Sequence, residues 1–120
     1  MKRVLIIDDD LSISDLLCDF LSSSGYGVRS FTSAQQALNF MKEEPPFHVI
    51  LLDLMMPEMD GQALRQQQLK IASWSHVPVV LMSAAAHAKE KLRHVGAVAF
   101  LNKPFEITEI LRVIRTYSLE

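Results

Sequence analysis

Apolar residues fall in short unbroken runs, separated by segments in which they recur every three or four positions. The runs are Val4-Leu5-Ile6-Ile7, Val49-Ile50-Leu51-Leu52, Val77-Pro78-Val79-Val80-Leu81-Met82 and Ala97-Val98-Ala99-Phe100-Leu101. They do not alternate apolar with polar, which is the pattern of strands covered on both faces. Val28-Arg29-Ser30-Phe31, after the Gly25-Tyr26-Gly27 turn, is more polar and fits an edge strand. Helical spacing links Ile13, Leu16, Leu17, Phe20 and Leu21, then Ala34, Ala37, Leu38 and Met41, and finally Ile107, Ile110, Leu111 and Ile114. A shorter stripe, Ala88, Leu92 and Val95, precedes Gly96. Ser12-x-x-Asp15 and Ser33-x-x-Gln36 have the form of capping boxes. The third helix, Gly61 to about Ala72, is the weakest, because Gln66-Gln67-Gln68 interrupts its apolar face.

The resulting order is (βα)5, an α/β class in which crossover helices require a doubly wound parallel sheet with right-handed connections. A chain of 120 residues that is 49% apolar fits one domain, residues 1–120, with its own core and no room for a separate output domain. Glu44-Pro45-Pro46 punctuates the second helix and third strand, and no repeat or linker divides the chain. Twelve basic against fourteen acidic residues leave a net charge of −2, which argues against direct nucleic-acid binding or attraction to anionic lipid. The single cysteine, Cys18, has no internal disulfide partner and predicts a small buried side chain in a reducing, cytoplasmic setting. The apolar run from Val4 is cut off by Asp8-Asp9-Asp10, too short for a signal peptide, and nothing approaches the ~18 apolar residues of a membrane span.

Chemistry enters at the strand ends. Asp8-Asp9-Asp10 follows the first strand, Asp53 closes the third, Ser83 follows the fourth and Lys103 lies just past the fifth. In an open parallel sheet those ends share one edge, and ligands bind there at the switch point between the first and third strands. Carboxylates packed so closely repel one another unless a cation neutralises them, and an all-oxygen donor set suits Mg²⁺. Asp8 and Asp9 are therefore the expected metal holders. Asp53 is placed as a carboxylate nucleophile toward phosphorus, and Lys103 and the Ser83 hydroxyl as partners of the phosphoryl oxygens.

Four motifs carry a family resemblance: Leu5-Ile6-Ile7-Asp8-Asp9-Asp10, Leu52-Asp53-Leu54-Met55-Met56-Pro57-Glu58-Met59-Asp60-Gly61, Leu81-Met82-Ser83-Ala84 and Lys103-Pro104-Phe105. In order and spacing they resemble the response-regulator receiver domain of two-component signalling, over nearly the whole chain. The resemblance implies a flavodoxin/CheY-like sheet of strand order 2-1-3-4-5 and a phosphorelay switch that catalyses only its own phosphorylation and dephosphorylation. It implies a phosphohistidine of a sensor histidine kinase or phosphotransfer protein as donor, and a downstream output domain or protein as reader. It implies the Met55 backbone carbonyl as a further metal ligand beside Asp8, Asp9 and Asp53, a cis bond at Lys103-Pro104, and Ser83 and Phe100 as the switching pair. The reporting surface, and a route to a homodimer, would be the fourth helix, fifth strand and fifth helix. Ser83 stands where the family more often has Thr. Met55 and Ala85 occupy positions that influence access of water to the acyl phosphate.

Plainer readings stand beside these. Asp8-Asp9-Asp10 could be a polar loop at a helix N-terminus, where carboxylates suit the helix dipole. Lys103 could be a surface lysine, Ser83 a turn or cap, and Phe100 an ordinary core aromatic. His48, His76, His87 and His94 lack metal-ligand spacing and suit solvated or locally bonded roles. Lys89, Lys91, Arg93 and His94 form a basic face that reads first as solvated. Met55, Met56 and Trp74 read as packing residues. Two rival functions remain. Ile7-Asp8-Asp9-Asp10-Leu11-Ser12 also resembles the start of a haloacid-dehalogenase-type phosphohydrolase, with Asp8 as nucleophile and Asp10 as acid. That reading leaves the Asp53–Gly61 loop unexplained. The other rival is a receiver-shaped binding module that never takes phosphate.

Overall fold

The computed structural model describes residues 1–84 and 95–118. Five strands, β1 (Arg3–Ile7), β2 (Gly27–Phe31), β3 (Val49–Asp53), β4 (Val79–Ser83) and β5 (Ala99–Asn102), form one sheet of order β2-β1-β3-β4-β5. Every pairing is parallel, with Ile7 opposite Leu52, Asp53 opposite Met82 and Ser83 opposite Asn102. Among the described residues the helices are α1 (Leu11–Ser23), α2 (Ala34–Glu43), α3 (Gly61–Leu69) and α4 (Ile107–Tyr117). The stripe at Ala88 and Leu92, the basic face Lys89–His94, and Ala85 and His87 lie outside the described residues.

The unbroken apolar runs have a direct cause. Successive strand side chains point to opposite faces, and both faces are covered. Leu5, Ile7, Ile50, Leu52, Val79 and Leu81 pack with Ala37, Leu38 and Met41 of α2, Leu64 of α3 and Trp74. Val4, Ile6, Val49, Leu51, Val80 and Met82 pack with Leu17 and Leu21 of α1 and Ile110, Val113 and Ile114 of α4. β2 lies at one edge and is only partly buried. Phe31, Phe40, Phe47 and Trp74 pack as an aromatic cluster, with adjacent ring centroids 5.2–5.6 Å apart along the Phe31–Phe40–Phe47–Trp74 chain.

Several local expectations need correction. α1 is capped by Asp10, whose carboxylate accepts from the Ile13 N–H, so Ser12 is already inside the helix. Asp10 competes better because it comes first and is extended, leaving Ser12 no free N–H to serve. Ser33 does cap α2, accepting from the Gln36 N–H. Leu16 is exposed although it shares the spacing of buried Leu17 and Leu21, since the buried stripe of a one-sided helix is narrower than the apolar pattern. Cys18 is half-buried rather than buried. Met55 is exposed, whereas Met56 and Trp74 are buried as expected. β4 and β5 start later than their apolar runs, at Val79 and Ala99. Pro78 has no N–H to give a ladder and contributes only its carbonyl, to the Ile50 N–H. α3 ends at Leu69 rather than near Ala72.

Candidate phosphorylation site

The parallel register brings the carboxyl ends of β1, β3, β4 and β5 to one edge, and the polar residues after them converge there. Asp8 follows β1 and is fully buried. Its N–H extends the β1–β2 ladder to the Phe31 carbonyl, and its own carbonyl accepts from the buried Ser14 hydroxyl of α1. The backbone on both sides of the carboxylate is thereby fixed. One Asp8 oxygen accepts from the Asp10 N–H at 2.9 Å, and the other accepts from the Lys103 ammonium at 2.7 Å.

Asp53 is the last residue of β3 and is also buried. The β3–β4 ladder continues past it through the Leu54 N–H donating to the Met82 carbonyl, and the loop that follows is closed by the Gly61 N–H donating to the Leu54 carbonyl. A Cβ at position 61 would stand 3.1 Å from the Leu54 Cα and 3.2 Å from the Asp53 carbonyl oxygen, so a larger residue would push the start of α3 and the end of β3 apart by a few tenths of an ångström. Asp60, capping α3 through the Ala63 N–H, holds that turn from the other side. Lys103 reaches in from beyond β5, where its N–H donates to the Ser83 carbonyl and its peptide bond to Pro104 is cis. Its ammonium lies 3.5 Å from an Asp53 oxygen.

Carboxylate oxygens of Asp8, Asp9 and Asp53 lie within 4.8 Å of one another, Asp9 on the exposed side. Burial, reinforced by the Asp8 charge and a hydrogen bond with Asp9, raises the Asp53 pKa from 3.8 to about 6 against the opposing pull of Lys103 and the Met55 backbone. Burial also disfavours the charged Lys103 ammonium, but its hydrogen bond to Asp8 and the charges of Asp53 and Asp8 outweigh that and hold its pKa above the ordinary lysine value. Three carboxylates against one ammonium leave the cleft short of positive charge. An oxygen-only set of this kind is what a hard divalent cation such as Mg²⁺ takes.

The edge thus joins Asp8, Asp9, Asp53 and Lys103, as read from the strand ends. Ser83, at the end of β4, is buried at the same edge. Phe100 lies on β5, half-buried against the apolar cluster that holds Leu64, Trp74 and Val95. Asp10 does not join the carboxylates; it caps α1. The inward role of Ser14 has no signal in the strand ends, and Gly61, although it starts the third helix and closes a motif, is not marked there by its missing Cβ. Ser14 is a polar residue one turn after a cap and faces inward, a position that hydropathy marks as a gap in the stripe. Gly61 sits in an Asp-Gly pair that reads equally as an ordinary turn.

Residues 4–115 match the response regulator receiver domain, and the chain belongs to that family. It is similar to a probable transcriptional regulator, ycf27, of Porphyridium aerugineum, 34% identical over 96% of this chain and 47% of the relative. It is also similar to the transcriptional regulatory protein BaeR of Escherichia coli O6:H1, 30% identical over 95% of this chain and 47% of the relative. The chain therefore spans about half the length of these curated relatives. Among solved structures it resembles the chemotaxis response regulator CheY4 of Vibrio cholerae, with a TM-score of 0.89, 26% identity and 99% of both chains covered. The receiver domain of the Pseudomonas aeruginosa sensor histidine kinase PA1611, crystallised with magnesium in its active-site cleft, shares the fold at a TM-score of 0.88 and 22% identity, over 98% of this chain and 97% of that one. The Asp8, Asp9 and Asp53 cluster is a receiver-type site arranged for Mg²⁺-dependent phosphoryl transfer, in a domain with the architecture of a signalling switch. Among the described residues no helix is long and apolar enough to cross a membrane.

Proposed function

We propose that residues 1–120 act as one receiver domain in which Asp53 accepts a phosphoryl group. The observation that carries this reading is the meeting of three carboxylates within 4.8 Å with a lysine ammonium 2.7 Å from Asp8 and 3.5 Å from Asp53. Asp53 attacks the phosphorus of a phosphohistidine in a sensor histidine kinase or phosphotransfer protein. A P–O bond to the carboxylate forms as the P–N bond breaks, and the imidazole leaves with a proton. Lys103, already held at the right edge by Asp8, and the Ser83 hydroxyl meet the phosphoryl oxygens and stabilise the charge spread over them. Asp8, Asp9, Asp53 and the Met55 carbonyl would hold Mg²⁺, whose chemical contribution when bound is to neutralise the carboxylates and the developing phosphoryl charge.

The new phosphate adds about −1.5 to −2 charge at neutral pH, which biases Ser83 and Phe100 toward a second arrangement. An output domain or separate protein reads that change at β5, α4 and the segment before β5, and the same surface offers a route to a homodimer. The transcriptional-regulator relatives make control of transcription, through an output domain and not through this chain's own contact with DNA, the favoured downstream role. A reducing cytoplasm suits the half-buried Cys18.

The test is intact mass after incubation with Mg²⁺ and a small phosphodonor. Wild type is expected to gain one phosphoryl group, lost with EDTA and in Asp53→Asn. No gain in wild type would favour the binding module that never takes phosphate. Labelling that survives Asp53→Asn but fails in Asp8→Asn would favour the hydrolase chemistry.

A further inference from the structure

A buried polar network lies away from the phosphorylation cleft, between α3 and the turn that leads into β5. Gln68, fully buried on α3, donates from its amide nitrogen to the Trp74 carbonyl at 2.8 Å and the Val77 carbonyl at 3.1 Å. Its amide oxygen accepts from Arg65 at 2.9 Å. The same Arg65 guanidinium donates to the Val95 carbonyl at 3.2 Å and the Gly96 carbonyl at 3.4 Å. Gly96 has φ +76°, in the left-handed region, so the chain reverses there and both carbonyls are turned toward α3. Among the described residues Arg65 makes no ion pair, so its fork is spent on backbone carbonyls and one amide. Trp74 is anchored in turn by its indole N–H on the Glu44 carbonyl.

Val95 belongs to the apolar cluster against which Phe100 packs, together with Leu64 and Trp74. The turn that Arg65 holds is therefore continuous with the surroundings of the aromatic assigned to the switch. We propose that Arg65 and Gln68 form a strap that holds the Val95–Gly96 turn on α3 and biases the domain toward its unphosphorylated arrangement. This rests on the receiver reading above for what the bias opposes, but the strap itself is a property of the unmodified chain. A contact made in one state and lost in the other shifts the equilibrium by its differential free energy, and the shift is reciprocal. Loosening the strap therefore makes a phosphoryl mimic bind more tightly, with no contact between Arg65 and the cleft.

The test is amide hydrogen exchange by mass spectrometry on the full chain, with and without Mg²⁺ and beryllofluoride, comparing wild type, Arg65→Ala and Arg65→Lys. Arg65 is only half-buried, so both variants are expected to fold. Without the mimic, Arg65→Ala should exchange about tenfold or more faster over residues 95–99 and unchanged over β1, the scale expected for losing charge-assisted hydrogen bonds. Arg65→Lys keeps the charge but lacks the fork and should fall between the two. Beryllofluoride should bind Arg65→Ala severalfold more tightly than wild type. Exchange over 95–99 that is unchanged in Arg65→Ala would overturn the strap. Faster exchange with an unaltered beryllofluoride affinity would overturn its regulatory role and leave a packing contact. If wild type shows no response to the mimic, the acceptor reading fails and the regulatory role with it, while the exchange of the mimic-free variants still decides whether the strap exists.

Discussion

At the carboxyl edge of the sheet three carboxylates share one ammonium, whereas behind α3 the buried amide of Gln68 meets only neutral carbonyls and one guanidinium. Both groups are built around buried polar side chains, and among the described residues no buried side-chain nitrogen or oxygen lacks a partner. They differ in what is left over. The network around Gln68 is complete, and each of its donors and acceptors is matched within the chain. The cleft has its hydrogen bonds but an excess of negative charge, a cost that folding alone would not select and that a cation or a reaction at Asp53 explains. A buried polar group that balances ties parts of the chain to one another, and one that does not balance is where a ligand belongs.

The largest effect should come from breaking the balanced network. Gln68→Leu is close to isosteric but takes the buried donor from the Val77 carbonyl and leaves the Trp74 carbonyl with the Val77 N–H alone. The orphaned Val77 carbonyl costs about 1–3 kcal/mol and the second hydrogen bond lost at Trp74 about 0.5–1.5 kcal/mol, so a loss on the order of 2–4 kcal/mol is expected. Urea unfolding reads it directly: the midpoint should fall with the slope unchanged. A loss below about 1 kcal/mol would mean that water reaches those carbonyls and that the network is not closed.

The cleft should respond in the opposite sense. Asp53 has a pKa of about 6 in the folded protein against 3.8 unperturbed. Below about pH 4 the group is protonated in both states and its contribution is fully present. Between pH 4 and 6 the folded state holds the proton more tightly, so stability falls as pH rises through that window. At neutral pH the folded chain, in EDTA, carries a cost on the order of 2–3 kcal/mol from this one carboxylate. Asp53→Asn should remove it, raising stability near pH 7 and leaving it nearly unchanged at pH 4. Equal effects at both pH values would show that charge is not the cause.

Mg²⁺ should supply from outside what that substitution removes from inside. A ligand that binds only the folded state at ten times its dissociation constant adds about 1.4 kcal/mol. Thermal unfolding of wild type should therefore shift upward with Mg²⁺, and the shift should be lost in Asp8→Asn. Asp53→Asn should keep at most part of it. The Gln68 network predicts no such response, so a Mg²⁺ shift in Gln68→Leu equal to that of wild type separates the two regions.

The sequence makes one of these regions far more legible than the other. The sheet order and both apolar layers follow from unbroken runs alternating with helical stripes, because a strand covered on two faces has no polar side to display. Asp8, Asp53 and Lys103 are legible for the same reason: each is a charge one or two residues beyond such a run, and a parallel sheet brings run ends together. Gln68 is illegible. In one dimension it is the third of three glutamines interrupting an apolar face, and it weakens the helix it in fact secures. Nothing in the pattern shows that the carbonyl of Val77 arrives needing a donor, since that need arises only when the α3–β4 connection folds back. Leu16 fails in the reverse way, apolar at a helical position but outside the arc that α1 buries.

The smallest effect concerns a carboxylate that belongs to neither group. Asp10 stands two residues from Asp8, yet its side chain turns to the Ile13 N–H and caps α1, while only its backbone N–H serves the cleft. Asparagine caps a helix about as well as aspartate, so Asp10→Asn should change stability by less than about 0.5 kcal/mol, whereas Asp10→Ala should cost about 1 kcal/mol. Neither should abolish the Mg²⁺ shift or phosphoryl labelling, because neither removes a group within the carboxylate cluster. A small change in labelling could arise from the shift of α1 that a lost cap allows, and Asp10→Asn controls for it by keeping the cap. Labelling lost in Asp10→Asn with α1 intact would mean that the carboxylate itself reacts. The excess charge of the cleft would then have to be counted as four carboxylates rather than three, and Asp8 and Asp10 together, not Asp53, would become the chemistry to explain.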